Sequence, residues 1–141
     1  MAQTFSTELA GIDSVPSVKP SAINAYGARV KRFRASITLA AQASGDTIVL
    51  ADLPAGYVFA YGVITSSVSL GTTTVAIVDG STTYRPAAVF TAVDTPTLFG
   101  STTGVAQAAS VATKRILATL AAAALPGAGT LVIDIYASMP N

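Results

Sequence analysis

Cysteine and histidine are absent from this chain, and charge is scarce at 11% of residues, about half the usual share. Without cysteine there are no disulfides and no thiolate nucleophile. Without histidine there is no imidazole base, and the usual zinc and haem ligands disappear with the pair. Carboxylates are left to carry any chemistry. They occur singly, as Glu8, Asp13, Asp46, Asp52, Asp79, Asp94 and Asp134, and no two of them show a motif spacing for acid–base or metal work. This pattern points away from an enzyme and predicts no catalytic, cofactor or metal site.

The longest stretch without charge, residues 53 to 78, reads LPAGYVFAYGVITSSVSLGTTTVAIV. Its length matches a membrane span. Its proline, its glycines and its dense block of Ser and Thr instead suit β-strands broken by turns, as do its β-branched residues. The opening MAQTFSTELAGIDS has no basic region followed by an apolar core, so no export signal is expected. The protein is expected to stay in the cytoplasm where it is made, or to join something assembled there.

At 141 residues, 51% of them hydrophobic, the chain has the size of one domain with a real core. So few charges leave a surface of Ser, Thr, Ala, Gly and backbone, poorly soluble if left bare. Such a surface predicts contact with other subunits, including a homo-oligomer in which a dimer is favoured over a trimer.

Two regions are distinguishable. Residues 1 to 25 mix Ser, Pro and isolated apolar residues with no sustained period, and Pro16 and Pro20 break any helix or ladder. This reads as an extended N-terminal arm, with at most a short helical turn near Thr7 to Leu9. Phe5, Leu9, Ile12, Val15, Val18 and Ile23 are more apolar side chains than a solvated tail needs, and they call for a surface to lie on.

Residues 26 to 141 read as short strands. In FRASITL, Phe33, Ala35, Ile37 and Leu39 alternate with Arg34, Ser36 and Thr38, which places the core on the odd side. TIVLADL, YVFAYGVITSS, TTTVAIVDG, TYRPAAVFTAV, TPTLFG, KRILATL and TLVIDIYAS follow, with Asp79-Gly80 as a tight-turn pair. Residues 114 to 125, KRILATLAAAAL, also have the composition of a helix former, so strand and helix both remain open there. LADLPAG leading into YVFAYG and AAALPGAG leading into TLVIDIY both look like a strand, a Pro-Gly turn and a second strand paired as a hairpin. Seven to nine short strands at this spacing predict an all-β antiparallel sandwich of jelly-roll type.

What stands out against the low charge is YGARVKRFRASI, residues 26 to 37, where Arg29, Lys31, Arg32 and Arg34 make up half of the eight Lys and Arg in a chain of net charge +1. The strand phase points Arg32 and Arg34 outward and puts Arg29 and Lys31 on the inward phase at a rim. Such a basic edge also blocks strand-to-strand aggregation. Sequence-blind nucleic-acid binding needs more cations, net basic charge and stacking aromatics, and a membrane surface needs an amphipathic helix. The acidic surface of a protein partner fits the cluster better.

The stretch YGARVKRFRASITLAAQASGDTIVLADLPAGYVFAYGVI, together with ATLAAAALPGAGTLVIDIY near the end, resembles the cement or decoration proteins of short-tailed bacteriophage heads, over roughly residues 26 to 137. The resemblance implies a jelly-roll protein on the outside of an icosahedral capsid, clamping neighbouring major capsid subunits against packaged DNA. On that reading the arm, with Phe5, Leu9, Ile12 and Val15, and the cluster Arg29, Lys31, Arg32 and Arg34 face the capsid, without nucleic acid, membrane or cofactor. A second class is a phage tail or fibre component whose β-sandwich binds carbohydrate. Tyr26, Tyr57, Tyr61, Tyr84 and Tyr136 would be its stacking platforms.

Overall fold

A computed structural model describes residues 29–139 together with Pro16. Eight strands and one short helix follow in order: β1 Arg29–Thr38, β2 Thr47–Leu53, β3 Val58–Ser66, β4 Thr74–Val78, β5 Thr83–Val89, β6 Thr97–Phe99, α1 Thr102–Val105, β7 Lys114–Ala121 and β8 Thr130–Met139. One sheet has the order β1-β8-β3-β6 and the other β2-β7-β4-β5, and every neighbouring pair is antiparallel. First strand beside last, and second beside second-to-last, is the connectivity of a jelly roll. The arm apart from Pro16, and the boundary between residues 25 and 26, lie outside the described residues.

Period-two alternation builds the core between the sheets. Ile116, Ala118 and Leu120 of β7 and Leu131, Ile133 and Ile135 of β8 are buried, as are Ile64 of β3 and Val75 and Ile77 of β4. Along β1 the odd residues turn inward as the pattern predicts, ending in buried Ile37 and Leu39. A fully buried aliphatic side chain of this kind contributes about 1.5–3 kcal/mol relative to exposure. Polar groups caught in the core are satisfied. The Thr73 hydroxyl donates to the Ala124 carbonyl at 2.7 Å and the Ser66 hydroxyl to the Val68 carbonyl at 2.6 Å.

Residues 114 to 121 settle the helix-or-strand question as strand β7. It is hydrogen-bonded to β2 on one side and to β4 on the other, so tertiary pairing overrides the helical preference of its alanines. The uncharged run of residues 53 to 78 folds as the end of β2, then β3 and β4 with their turns. No helix among the described residues is long and apolar enough to cross a membrane.

The two expected Pro-Gly hairpins are not hairpins. β2 and β3 belong to different sheets, and so do β7 and β8, so LPAG and LPGAG are corners at which the chain passes from one sheet to the other. Gly129 shows why a corner needs glycine. Its φ is +122°, and a β-carbon there would lie 2.8 Å from Val68 and 3.2 Å from Leu39, while its carbonyl accepts the Leu39 N–H at 2.9 Å. Among the described strands the consecutive pair that does form a hairpin is β4 and β5, around Asp79-Gly80 as expected.

Candidate docking surface

Strand β1 edges its sheet, with β8 as its one neighbour among the described strands. The ladder starts at the rim with Arg29 opposite Met139 and runs to Thr38 opposite Thr130. Arg29, Lys31 and Arg32 are exposed, at the end of β1 where the chain comes from the arm.

The four cations of the cluster do not share one environment. Arg34 faces Asp134 across the ladder and grips it in a two-pronged pair, Nε to Oδ1 at 2.8 Å and a terminal nitrogen to Oδ2 at 2.7 Å. The Asp134 side chain is nearly covered, at 9% exposure against 50% for Arg34. Hydrogen bonding from Arg34 holds the Asp134 carboxyl below the usual carboxylate range against the opposing effect of burial, and the charges of Arg34 and Arg32 add to this. The same bond and charge raise the Arg34 guanidinium. Part of the answer to four crowded cations is therefore internal. Arg34 is neutralised within the fold, and the other cations of the cluster, Arg29, Lys31 and Arg32, stand exposed at the rim.

Lys31 takes the inward phase at the rim, as its position in the alternation requires. Its Nζ stands 5.7 Å from the centroid of the Tyr57 ring, which itself meets Phe33 edge to face at 5.7 Å. Arg32 lies in the outward row, in register with Tyr136 and, beyond it, Tyr61. These two tyrosines stack at 4.6 Å with 12° between the rings, so each covers a face of the other. Tyr57 and Tyr84 are buried, and Tyr26 lies outside the described residues. Phe5, Leu9, Ile12 and Val15 lie outside the described residues as well.

Next to Tyr61 the surface opens into an apolar groove of about 570 Å³ lined by Ala60, Tyr61, Leu98, Phe99, Gly100 and Val105. Leu98 at its border is 72% exposed. The helix α1, whose Val105 lines the groove, is capped by Ser101, whose hydroxyl accepts the Gly104 N–H at 3.0 Å. The polar stretch STTGVAQAAS gave little sign of this turn beyond its serine.

Asp52 and Asp79 also serve structure. Asp52 pairs with Arg115 at 2.7 and 2.8 Å. Asp79 is the hub of the β4–β5 turn. Its Oδ1 accepts the N–H groups of Ser81 and Thr82 and the Ser81 hydroxyl, its Oδ2 accepts the Tyr84 hydroxyl at 2.7 Å, and Lys114 lies at 3.3 Å. Burial would push this carboxyl upward, but the hydrogen bonds outweigh it and bring it down to about 2. Burial, then the bond to Asp79, pushes the Tyr84 phenol up. Among the described residues no group of three or more His, Cys, Asp or Glu could hold a metal ion.

This architecture defines the chain as an antiparallel jelly-roll sandwich with a basic rim. No family model matches it, and no curated protein does. Solved structures do. A chain of the Cyanophage Pam1 capsid asymmetric unit aligns with a TM-score of 0.65 at 16% identity, over 91% of this chain and 97% of that one. A chain of the capsid of Ralstonia phage GP4 aligns with a TM-score of 0.62 at 18% identity, over 89% and 93%. A third, from the acidic stable capsid structure of Helicobacter pylori bacteriophage KHP30, aligns at 0.57 and 14% identity, over 79% and 89%. At these identities the likeness establishes a common fold.

Proposed function

We propose that this protein is a non-enzymatic structural component of a tailed-phage virion, which binds the outer surface of the head after synthesis in the host cytoplasm and stabilises the lattice of the major capsid protein. The observation that carries this reading is the rim of β1, where exposed Arg29, Lys31 and Arg32 stand together where the arm joins a rigid sandwich. The fold likeness to chains from three phage capsids supports it. A cement protein works by adding interface. The sandwich supplies a stiff body, the cations meet an acidic patch, the arm widens the reach, and many copies on one lattice sum weak contacts into avidity.

Undecorated phage heads test this directly. The protein should bind them saturably, in copy number proportional to the major capsid subunit as counted by mass spectrometry, and binding should weaken with salt. Replacing Arg29, Lys31 and Arg32 together by Ala should weaken attachment and flatten its salt dependence. Tight, salt-sensitive DNA binding with no affinity for heads would overturn the proposal.

A further inference from the structure

The edge strands of the two sheets are not equally open to pairing. β6 is three residues long, β2 is bulged between Val49 and Ala51, and β5 carries Pro86 within a ladder whose register shifts. Shortness, bulges and proline each spoil an edge for a further strand. β1 has none of these defects, being ten residues long, free of proline and in unbroken register with β8. Its open side can be assigned. The Leu39 N–H donates to the Gly129 carbonyl at 2.9 Å, which makes theirs a hydrogen-bonded pair, and by antiparallel alternation the odd residues of β1 bond to β8. The even residues therefore aim their N–H and C=O groups away from the sheet. At the far end Gln42 closes this row, its side-chain amide donating to the Thr38 carbonyl at 3.0 Å and accepting the Ala40 N–H at 2.9 Å. Towards the rim, the outward main-chain groups of Val30, Arg32, Arg34 and Ser36 have no partner among the described residues.

We infer that an acidic, extended segment of a protein partner adds to β1 as a further strand of the β1-β8-β3-β6 sheet, its main chain bonded to Val30, Arg32, Arg34 and Ser36. Charge decides the occupant. β1 holds four cations and no carboxylate, and Asp134 answers Arg34 among them. Arg32 takes the outward phase and Arg29 and Lys31 the opposite one, so an added strand meets a cation on either of its faces. A second copy paired edge to edge over this stretch would set cation against cation, whereas Glu or Asp side chains would stand beside the cations at cross-strand distance. Main-chain bonds supply affinity and the side chains the choice of partner. That the segment belongs to a capsid subunit rests on the capsid reading, while its extended and acidic character rests on β1 itself.

A terminally blocked ten-residue peptide of alternating Thr and Glu, titrated into the full chain and followed by residue-resolved amide hydrogen exchange, tests it. Exchange should slow at Val30, Arg32, Arg34 and Ser36, and change little at their odd-numbered neighbours, which β8 already protects. The same peptide with its four central amides N-methylated keeps its charge but loses donors on both edges, and should bind at least about tenfold more weakly. Val30→Pro with Ser36→Pro removes two outward donors, keeps every cation and every bond to β8, and should weaken binding by a similar factor. Arg29→Ala with Lys31→Ala and Arg32→Ala should do the same by removing the charge. Far-UV circular dichroism checks each fold, and if the proline variant does not fold, the exchange pattern and the N-methylated peptide decide. No peptide binding at millimolar concentration, equal affinity for the N-methylated peptide, or a folded proline variant that binds like wild type would each overturn the inference. So would binding that emerges only when residues 1–25 are deleted, which would make the arm the occupant, or a wild-type dimer abolished by the two prolines, which would make it a second copy. Heads are assayed separately. Attachment that survives the prolines but not the triple Ala change would leave the capsid reading standing without strand addition, and a protein that takes the peptide but ignores heads would do the reverse.

Discussion

Phe99 of β6 lies against the bare backbone of Gly62 on β3, so close that a β-carbon at Gly62 would sit 2.0 Å from the ring's Cζ. The pair is in register across the short β3–β6 ladder, and the same ring stacks on Phe59 at 6.2 Å. Gly62→Ala should therefore expel Phe99 and loosen β6, at a cost of about 1–3 kcal/mol or more. Chemical denaturation measures the loss, and combining it with Phe99→Leu should recover part of it.

Asp79 should govern behaviour in acid. Its folded-state value of about 2 lies below the ordinary carboxylate value near 3.9, so its contribution is complete above the latter and is lost as pH falls through the former. Asp79→Ala removes an acceptor from the Tyr84 hydroxyl and from the Ser81 and Thr82 N–H groups, and should cost on the order of 2–3 kcal/mol at neutral pH. Melting temperatures followed from pH 7 to pH 2 should fall steeply at the acid end for wild type, and less steeply for the variant.

Arg34 and Arg32 should separate by experiment although they are two residues apart. Arg34→Ala leaves the nearly covered Asp134 carboxylate without its two bonds, so thermal stability should fall. Arg32→Ala should leave stability close to wild type and act on attachment to heads. Equal melting temperatures for the two variants would argue against a structural role for Arg34.

Deleting residues 1–25 should leave the sandwich folded, with unchanged strand content and a similar melting temperature. Head occupancy should fall sharply, since each buried Phe, Leu, Ile or Val of the arm would contribute roughly 1.5–3 kcal/mol before ordering costs. Binding of truncated and full-length protein to undecorated heads makes the comparison.

Much of the fold was legible because it is written in local alternation. Phe33 to Leu39 and Leu131 to Ile135 declare their buried sides without reference to any partner. What alternation cannot carry is which strands pair. LPAG and LPGAG look like hairpin turns because a cross-sheet corner uses the same residues, and only the sheet order tells them apart. The same blindness affects the candidate surface. Arg34 read as a free cation because its partner is 100 residues away. Arg34 has the outward phase of its strand and Asp134 lies on the side of its own strand opposite to Leu131, Ile133 and Ile135, so the pair becomes visible only once β1 is set beside β8. The Asp79 turn was recognised by its Asp-Gly, but the Tyr84 and Lys114 bonds to the same carboxylate depend on burial that no spacing encodes.

The register of β1 on β8 also has a mechanical side. The chain enters the sandwich at Arg29 and leaves it at Met139, directly across the ladder. A load applied through these two points would act on an antiparallel pair in the opening direction of a zipper, breaking rungs one after another instead of shearing all of them together. The Arg34–Asp134 clasp, the sixth rung from the rim, is where such a tear would meet its first ionic resistance. A body hung in this way bears load poorly through its ends and well across its broad faces.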